Sequence, residues 1–180
     1  KKKLRSVIYV LGLFGALQVS IPGYINSSFM EQFMPEKAIG ILYTISSILA
    51  LICLTLAPRI LRKIGNYKMI LTLLSTSFVS LLILAFNQNI NIIIPIFIVY
   101  LTIHTIAVLN MDILLEKSST DSETGNIRGL YLSTSNLAWI ISPFIVGLLL
   151  INGDYWKVYA LASLAVIPFI TLLSFYFRNF

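Results

Sequence analysis

Long apolar runs without a single charge, separated by short charged or polar clusters, set the pattern of this chain. No Asp, Glu, Lys or Arg occurs between Arg5 and Glu31, Lys37 and Arg59, Lys68 and Asp112, Arg128 and Asp154, or Lys157 and Arg178. The third of these runs is long enough for two crossings of about 20 residues each, and Asn87-Gln88-Asn89-Ile90-Asn91 supplies a polar turn between them. The pattern predicts one all-α unit over residues 1–180 with six transmembrane helices, approximately 7–29, 38–58, 69–87, 91–113, 129–151 and 157–177. The runs are continuously apolar rather than alternating, which indicates helices and not barrel strands. Pro22, Pro95, Pro143 and Pro168 fall within or at the edge of these spans. They are compatible with membrane helices, because neighbouring helices can re-satisfy a backbone carbonyl that proline leaves without a donor.

Composition strengthens this picture. The hydrophobic fraction is 58% and the charged fraction 11%, against roughly 45–50% and 25% in soluble domains, so a polar surface cannot be built. The basic start Lys1-Lys2-Lys3-Leu4-Arg5 resembles the opening of a signal peptide, but the apolar run behind it is too long and ends in no clean cleavage site. The single cysteine, Cys53, excludes an internal disulfide and a thiolate metal cage. A net charge of +6 raises nucleic-acid binding. The charges, however, sit in short clusters between spans rather than in a solvated basic groove, so no nucleic-acid partner is expected and the bilayer is.

Those clusters also orient the chain. With six crossings, Lys1, Lys2, Lys3, Arg5, Arg59, Arg62, Lys63, Lys68, Lys117, Arg128 and Arg178 share one side, leaving Lys37 and Lys157 on the other. This positive-inside bias predicts cytoplasmic termini. Tyr155, Trp156 and Tyr159 fit an aromatic anchor at the outer end of the last helix. A Lys, Asn and Ile bias fits a prokaryotic source, so the expected location is the cell (inner) membrane.

An internal repeat is visible at an offset of 88 residues. It aligns Leu42-Tyr43 with Leu130-Tyr131, Ser47 with Ser135, Leu49-Ala50 with Leu137-Ala138, Gly65 with Gly153 and Tyr67 with Tyr155. From Leu42 to Ser75 there are 11 identities in 34 positions. The matched helices run in opposite directions, so residues 1–88 and 89–180 are expected to form a 3+3 inverted repeat, as in secondary transporters.

Six helices with cytoplasmic ends, a short basic loop after the second and a 3+3 repeat resemble the amino-terminal half of a major facilitator superfamily transporter. That family carries Gly-x-Leu-Ala-Asp-Arg-x-Gly-Arg-Lys after its second helix. The corresponding stretch here is Pro58-Arg59-Ile60-Leu61-Arg62-Lys63-Ile64-Gly65-Asn66-Tyr67-Lys68. Gly65 and Lys63 match, whereas Pro58 replaces the first glycine and Arg62 the acidic position. Arg128-Gly129 is similar to the family's start of the fifth helix. The stretch from Ala138 to Gly147, containing Ser142-Pro143, is similar to its Gly-x-x-x-Gly-Pro-x-x-Gly-Gly motif. The resemblance implies half of a secondary active transporter moving a small solute by alternating access. A missing C-terminal six-helix half, or a second copy, would complete it. The alternatives are a non-transporting six-helix scaffold, a homodimerising unit or, less favoured, an intramembrane enzyme.

Polar residues within the spans mark the candidate path, because such groups at depth need a partner or a cavity. Gly15, Gln18, Pro22 and Asn26 recur at helical spacing in the first span, and Tyr100 and His104 share a face of the fourth. In the resembled family helices 1 and 4 line the central cavity, which makes Gln18, Asn26, Tyr100 and His104 substrate-path candidates, with Asn136 and Trp139 in the fifth helix as weaker ones. His104, the only histidine, titrates near neutrality in its ordinary state and is the candidate for proton coupling. Arg59, Arg62, Lys63, Gly65, Asp112, Glu116 and Arg128 are candidates for a cytoplasmic gate held by ion pairs. Enzyme classes find no support: there is no Gly-x-Ser-x-Gly turn, no His-Glu-x-x-His, no phosphate-cradling Gly-x-x-x-x-Gly-Lys loop and no clustered intramembrane aspartates. No cofactor or metal is expected.

Overall fold

Pro22-Gly23 ends the first helix earlier than the apolar run does. A computed structural model describes residues 2–119 and 124–178, with side chains from residue 6 onward. In it α1 (Lys2–Gly23) stops at this pair, and a separate short helix α2 (Asn26–Met30) completes the expected 7–29 segment after a two-residue turn. The other helices are α3 (Glu36–Ile64), α4 (Asn66–Phe86), α5 (Ile90–Lys117), α6 (Thr124–Leu149) and α7 (Tyr155–Phe177). The basic cluster at residues 1–5 lies outside the described side chains.

Two helices overrun their uncharged stretches. α3 has 29 residues and α5 has 28, about 43 and 42 Å at the usual rise, against about 30 Å of hydrocarbon. The surplus carries Arg59, Arg62 and Lys63 on α3, and Asp112, Glu116 and Lys117 on α5. Charge therefore marks where the hydrocarbon ends, not where the helix does. α3 terminates at Gly65, whose φ of +82° is open to glycine at little cost. Its amide bonds the Leu61 carbonyl at 2.9 Å. The turn expected at Asn87–Asn91 is held by its own side chains. The Asn89 amide donates to Asn87 Oδ1 at 2.8 Å, and Asn89 Oδ1 caps α5 through the Asn91 amide at 3.0 Å.

Helix contacts run in the order α6–α1–α7–α4–α5–α3, with α4 and α7 at the centre. α1 packs between α6 and α7, and α5 between α3 and α4, while α5 and α6 barely touch. Hydrocarbon competes well for apolar side chains, so close backbone approach and interhelical hydrogen bonds must hold such helices together. At the α1–α6 seam Ser20 and Ser142 share a buried hydrogen bond of 2.6 Å, and Ser135 Oγ donates to the Gly12 carbonyl at 3.3 Å. Ala138 and Ser142 are fully buried, and a Cβ at Gly12 would stand 2.7 Å from the Tyr131 ring.

Six of the described helices are long and apolar enough to cross a membrane: Ser6–Gly23 within α1, and α3 to α7. Their outward faces carry bare apolar groups, with Phe175 83%, Ile140 72% and Phe144 72% exposed. Water would penalise such a surface and a bilayer solvates it. The chain is built as a multi-pass membrane protein.

Candidate functional site

Proline supplies no N–H to the carbonyl four residues before it, and two of these carbonyls are met by tyrosine hydroxyls from outside the helix concerned. Pro22 leaves the Gln18 carbonyl without that donor, and the Tyr100 hydroxyl of α5 donates to it at 2.9 Å. Pro143 does the same to the Trp139 carbonyl, which accepts from the Tyr24 hydroxyl at 3.1 Å. Tyr100 is thus engaged with the α1 backbone. The Gln18 side chain is also tied, its Oε1 accepting from Ser77 Oγ of α4 at 3.1 Å. One residue of α1 accordingly binds α4 and α5 together.

Beside this knot lies a cavity of about 200 Å³, in the cleft between α5 and α6, with α1 as its floor. Of the six substrate-path candidates, Gln18, His104 and Trp139 line it; Asn26, Tyr100 and Asn136 do not. Asn26 sits beyond the helix break, so the expected continuous face from Gly15 to Asn26 is interrupted; its Oδ1 accepts from the Tyr159 hydroxyl at 2.9 Å. Asn136 is exposed on the outer side of α6. Tyr131, Ser135 and Phe169 complete the wall without having been singled out for it. Ser135 neighbours Asn136, so a rotation of one residue about α6 separates the cavity side from the outer side. The small-residue series Ser135, Ala138, Ser142 is the signal that marks the inner side.

At the end of the bundle where α1 starts and α7 stops, Arg128 Nη2 stands 3.0 Å from Asp112 Oδ2, joining α5 to α6. A second pocket of about 340 Å³ there is lined by this pair with Leu115, Glu116 and Thr124. Arg128 lies one turn from Tyr131, and Asp112 adjoins Met111, both of which line the deeper cavity. The ion pair therefore crosses the cleft about one turn outside it. Arg59, Arg62 and Lys63 are exposed on α3 and, among the described residues, make no ion pair. Gly65 forms the α3–α4 corner.

No protein-family model and no curated protein matches this chain. The geometry must carry the functional reading. Among the described residues no three His, Cys, Asp or Glu side chains are grouped to hold a metal ion. What the site offers is a small neutral cavity between loosely joined helices, with an ion pair across one end.

The Asn26–Tyr159 contact yields a prediction. Tyr159 is fully buried, so Tyr159→Phe strands a buried amide oxygen. It is expected to lower stability by about 1 kcal/mol, read as a lower melting temperature of the purified protein in detergent.

Proposed function

We propose that this chain is one half of a secondary active transporter of the major facilitator type, moving a small solute across the cell (inner) membrane by alternating access, with both termini cytoplasmic. The observation that carries this reading is the mirror order of the helices. Exchanging α1 with α5, α3 with α6 and α4 with α7 turns the contact order α6–α1–α7–α4–α5–α3 into itself read backwards. That exchange is the one an inverted 3+3 repeat requires. The 88-residue offset fits it at single residues. Gly65 and Gly153 are the described residues with positive φ, at +82° and +73°. Ile39 and Ile127, and likewise Ala50 and Ala138, occupy buried positions on α3 and α6.

The cavity supports the same reading, since it lies between elements that scarcely touch and can separate without breaking a large interface. The outward apolar faces of α3 and α6 suit a second six-helix bundle, either a C-terminal half or another copy. His104 in the cavity wall is the group through which proton coupling would run. No enzymatic step is assigned to the chain. In proteoliposomes with an imposed proton gradient, the protein is expected to move a small solute faster than empty liposomes do. Equal flux across a broad solute panel would favour a scaffold.

The gate follows from the Asp112–Arg128 pair. Both partners are well exposed, with side chains 36% and 55% accessible, so the pair contributes little to stability, about 0–1 kcal/mol. Its effect is expected on the balance between inward- and outward-open states. Asp112→Arg should lower flux several-fold with little change in melting temperature, and the swap Asp112→Arg with Arg128→Asp should restore part of it. Unchanged flux in Asp112→Arg removes the gate.

A further inference from the structure

The chemistry of the cavity wall narrows the solute. None of the lining residues carries a carboxylate, an ammonium or a guanidinium group. The nearest charges, Asp112 and Arg128, lie outside it and are spent on each other. A charged solute seated there would lose its hydration with no counter-charge from this chain to replace it, which a membrane interior penalises heavily.

The wall does offer uncharged hydrogen-bonding groups. Gln18 is 4% exposed and its amide oxygen is taken by Ser77, yet its amide nitrogen has no partner among the described residues. The His104 ring likewise makes no hydrogen bond to the described residues while lining the cavity. Ser135 Oγ gives its proton to the Gly12 carbonyl and stands beside the Tyr131 hydroxyl, so the two form a polar spot in the wall. These groups face one cavity with hydrogen-bonding capacity to spare, which a polar substituent of a solute can take up. Around them stand the rings of Tyr131, Trp139 and Phe169.

Size and access point the same way. An apolar cavity of about 150 Å³ holds benzene, so about 200 Å³ admits one ring with a short polar substituent. On the open side of the cleft Val108 and Leu132 are about half exposed, at 49% and 50%, giving the cavity an apolar rim.

Resting on the transporter reading above, we infer that the cavity takes an uncharged, amphipathic solute of a single ring. The ring lies against the aromatic side chains, and a polar substituent bonds the Gln18 amide and the His104 imidazole. The competing chemistry is a cation on the aromatic faces, which the Tyr131 and Trp139 rings could attract.

Three isosteric probes separate these cases: benzamide, benzoate and benzamidinium. Radiolabelled benzamide binding to the protein in nanodiscs at pH 8, corrected for empty nanodiscs, is expected to saturate. Unlabelled benzoate and benzamidinium should compete at least tenfold more weakly than benzamide. Gln18→Leu and His104→Phe should each weaken binding at least fivefold, with an unchanged elution profile as proof of folding. Preferential competition by benzamidinium or benzoate overturns the inference, as does the absence of saturable benzamide binding to folded protein. Flux in proteoliposomes without benzamide binding would discard the solute class and keep the transporter. Saturable binding without flux of any solute would keep the class and discard the transporter.

Discussion

Gly15→Leu is expected to prevent α1 from seating against α7, so that the protein is recovered aggregated, while Gly15→Ala is recovered folded but melts lower. A Cβ at position 15 would stand 2.8 Å from Phe169 Cε2 and 3.4 Å from Cδ2. Phe169 is itself buried on α7, and its ring can give way only toward the cavity it lines. Overfilling a fitted core costs about 1–3 kcal/mol, occasionally more, whereas alanine regains about 1 kcal/mol of helix propensity over glycine. The alanine variant therefore ends about 1 kcal/mol down. Leucine adds three further carbons to the same clash without further helical gain. Size-exclusion profiles and thermal unfolding in detergent read both effects. Phe169→Leu placed on Gly15→Ala should recover most of the loss, because the two positions couple through one contact. A wild-type melt for Gly15→Leu would refute the α1–α7 contact.

The second large effect is conditional on proline. Tyr100→Phe is expected to lower stability by about 1–3 kcal/mol, the cost of leaving a buried carbonyl unsatisfied. Side-chain hydrogen bonds between membrane helices average about 0.6 kcal/mol. This one should exceed that average because Pro22 supplies no backbone donor to the Gln18 carbonyl, and Tyr100 is only 1% exposed. In a Pro22→Ala background residue 22 regains an N–H, the helix can close its own bond to Gln18, and Tyr100→Phe should become nearly neutral. Equal losses with and without Pro22 would show that the contribution of the hydroxyl does not depend on the donor that proline withholds.

These two cases also show what the sequence disclosed. Number and approximate position of the spans were legible because charge is so costly in hydrocarbon that Arg5, Lys37, Arg59, Lys68 and their counterparts can only stand at its margins. Helix ends were less legible: α3 and α5 continue past the hydrocarbon into a layer that tolerates Arg62 and Glu116, and charge no longer marks their limits. The break at Pro22-Gly23 was hidden within an unbroken apolar run, which carried Asn26 onto a face it does not share with Gln18. The need for a donor to the Gln18 carbonyl could be read from Pro22 alone. That Tyr100 supplies it could not, because 82 residues of chain separate the two and only the bundle brings them together. The same limit separated Asn136 from Ser135: spacing ranks faces of a helix, and only the neighbouring helix decides which face is inward. Gln18, His104 and Trp139, singled out as polar or amphipathic groups at depth, do line the cavity.

Alternating access makes one demand that a scaffold does not: the same cavity residue must be reachable from both sides of the membrane. Ser135 is suited to report this, being half-buried in the cavity wall, and replacing Cys53, the only cysteine, with alanine leaves Ser135→Cys as the sole thiol of the chain. In native membranes, a membrane-impermeant maleimide applied to right-side-out and to inside-out vesicles is predicted to modify this cysteine from either face. Modification from one face only, or from neither, in folded protein would contradict the transporter account.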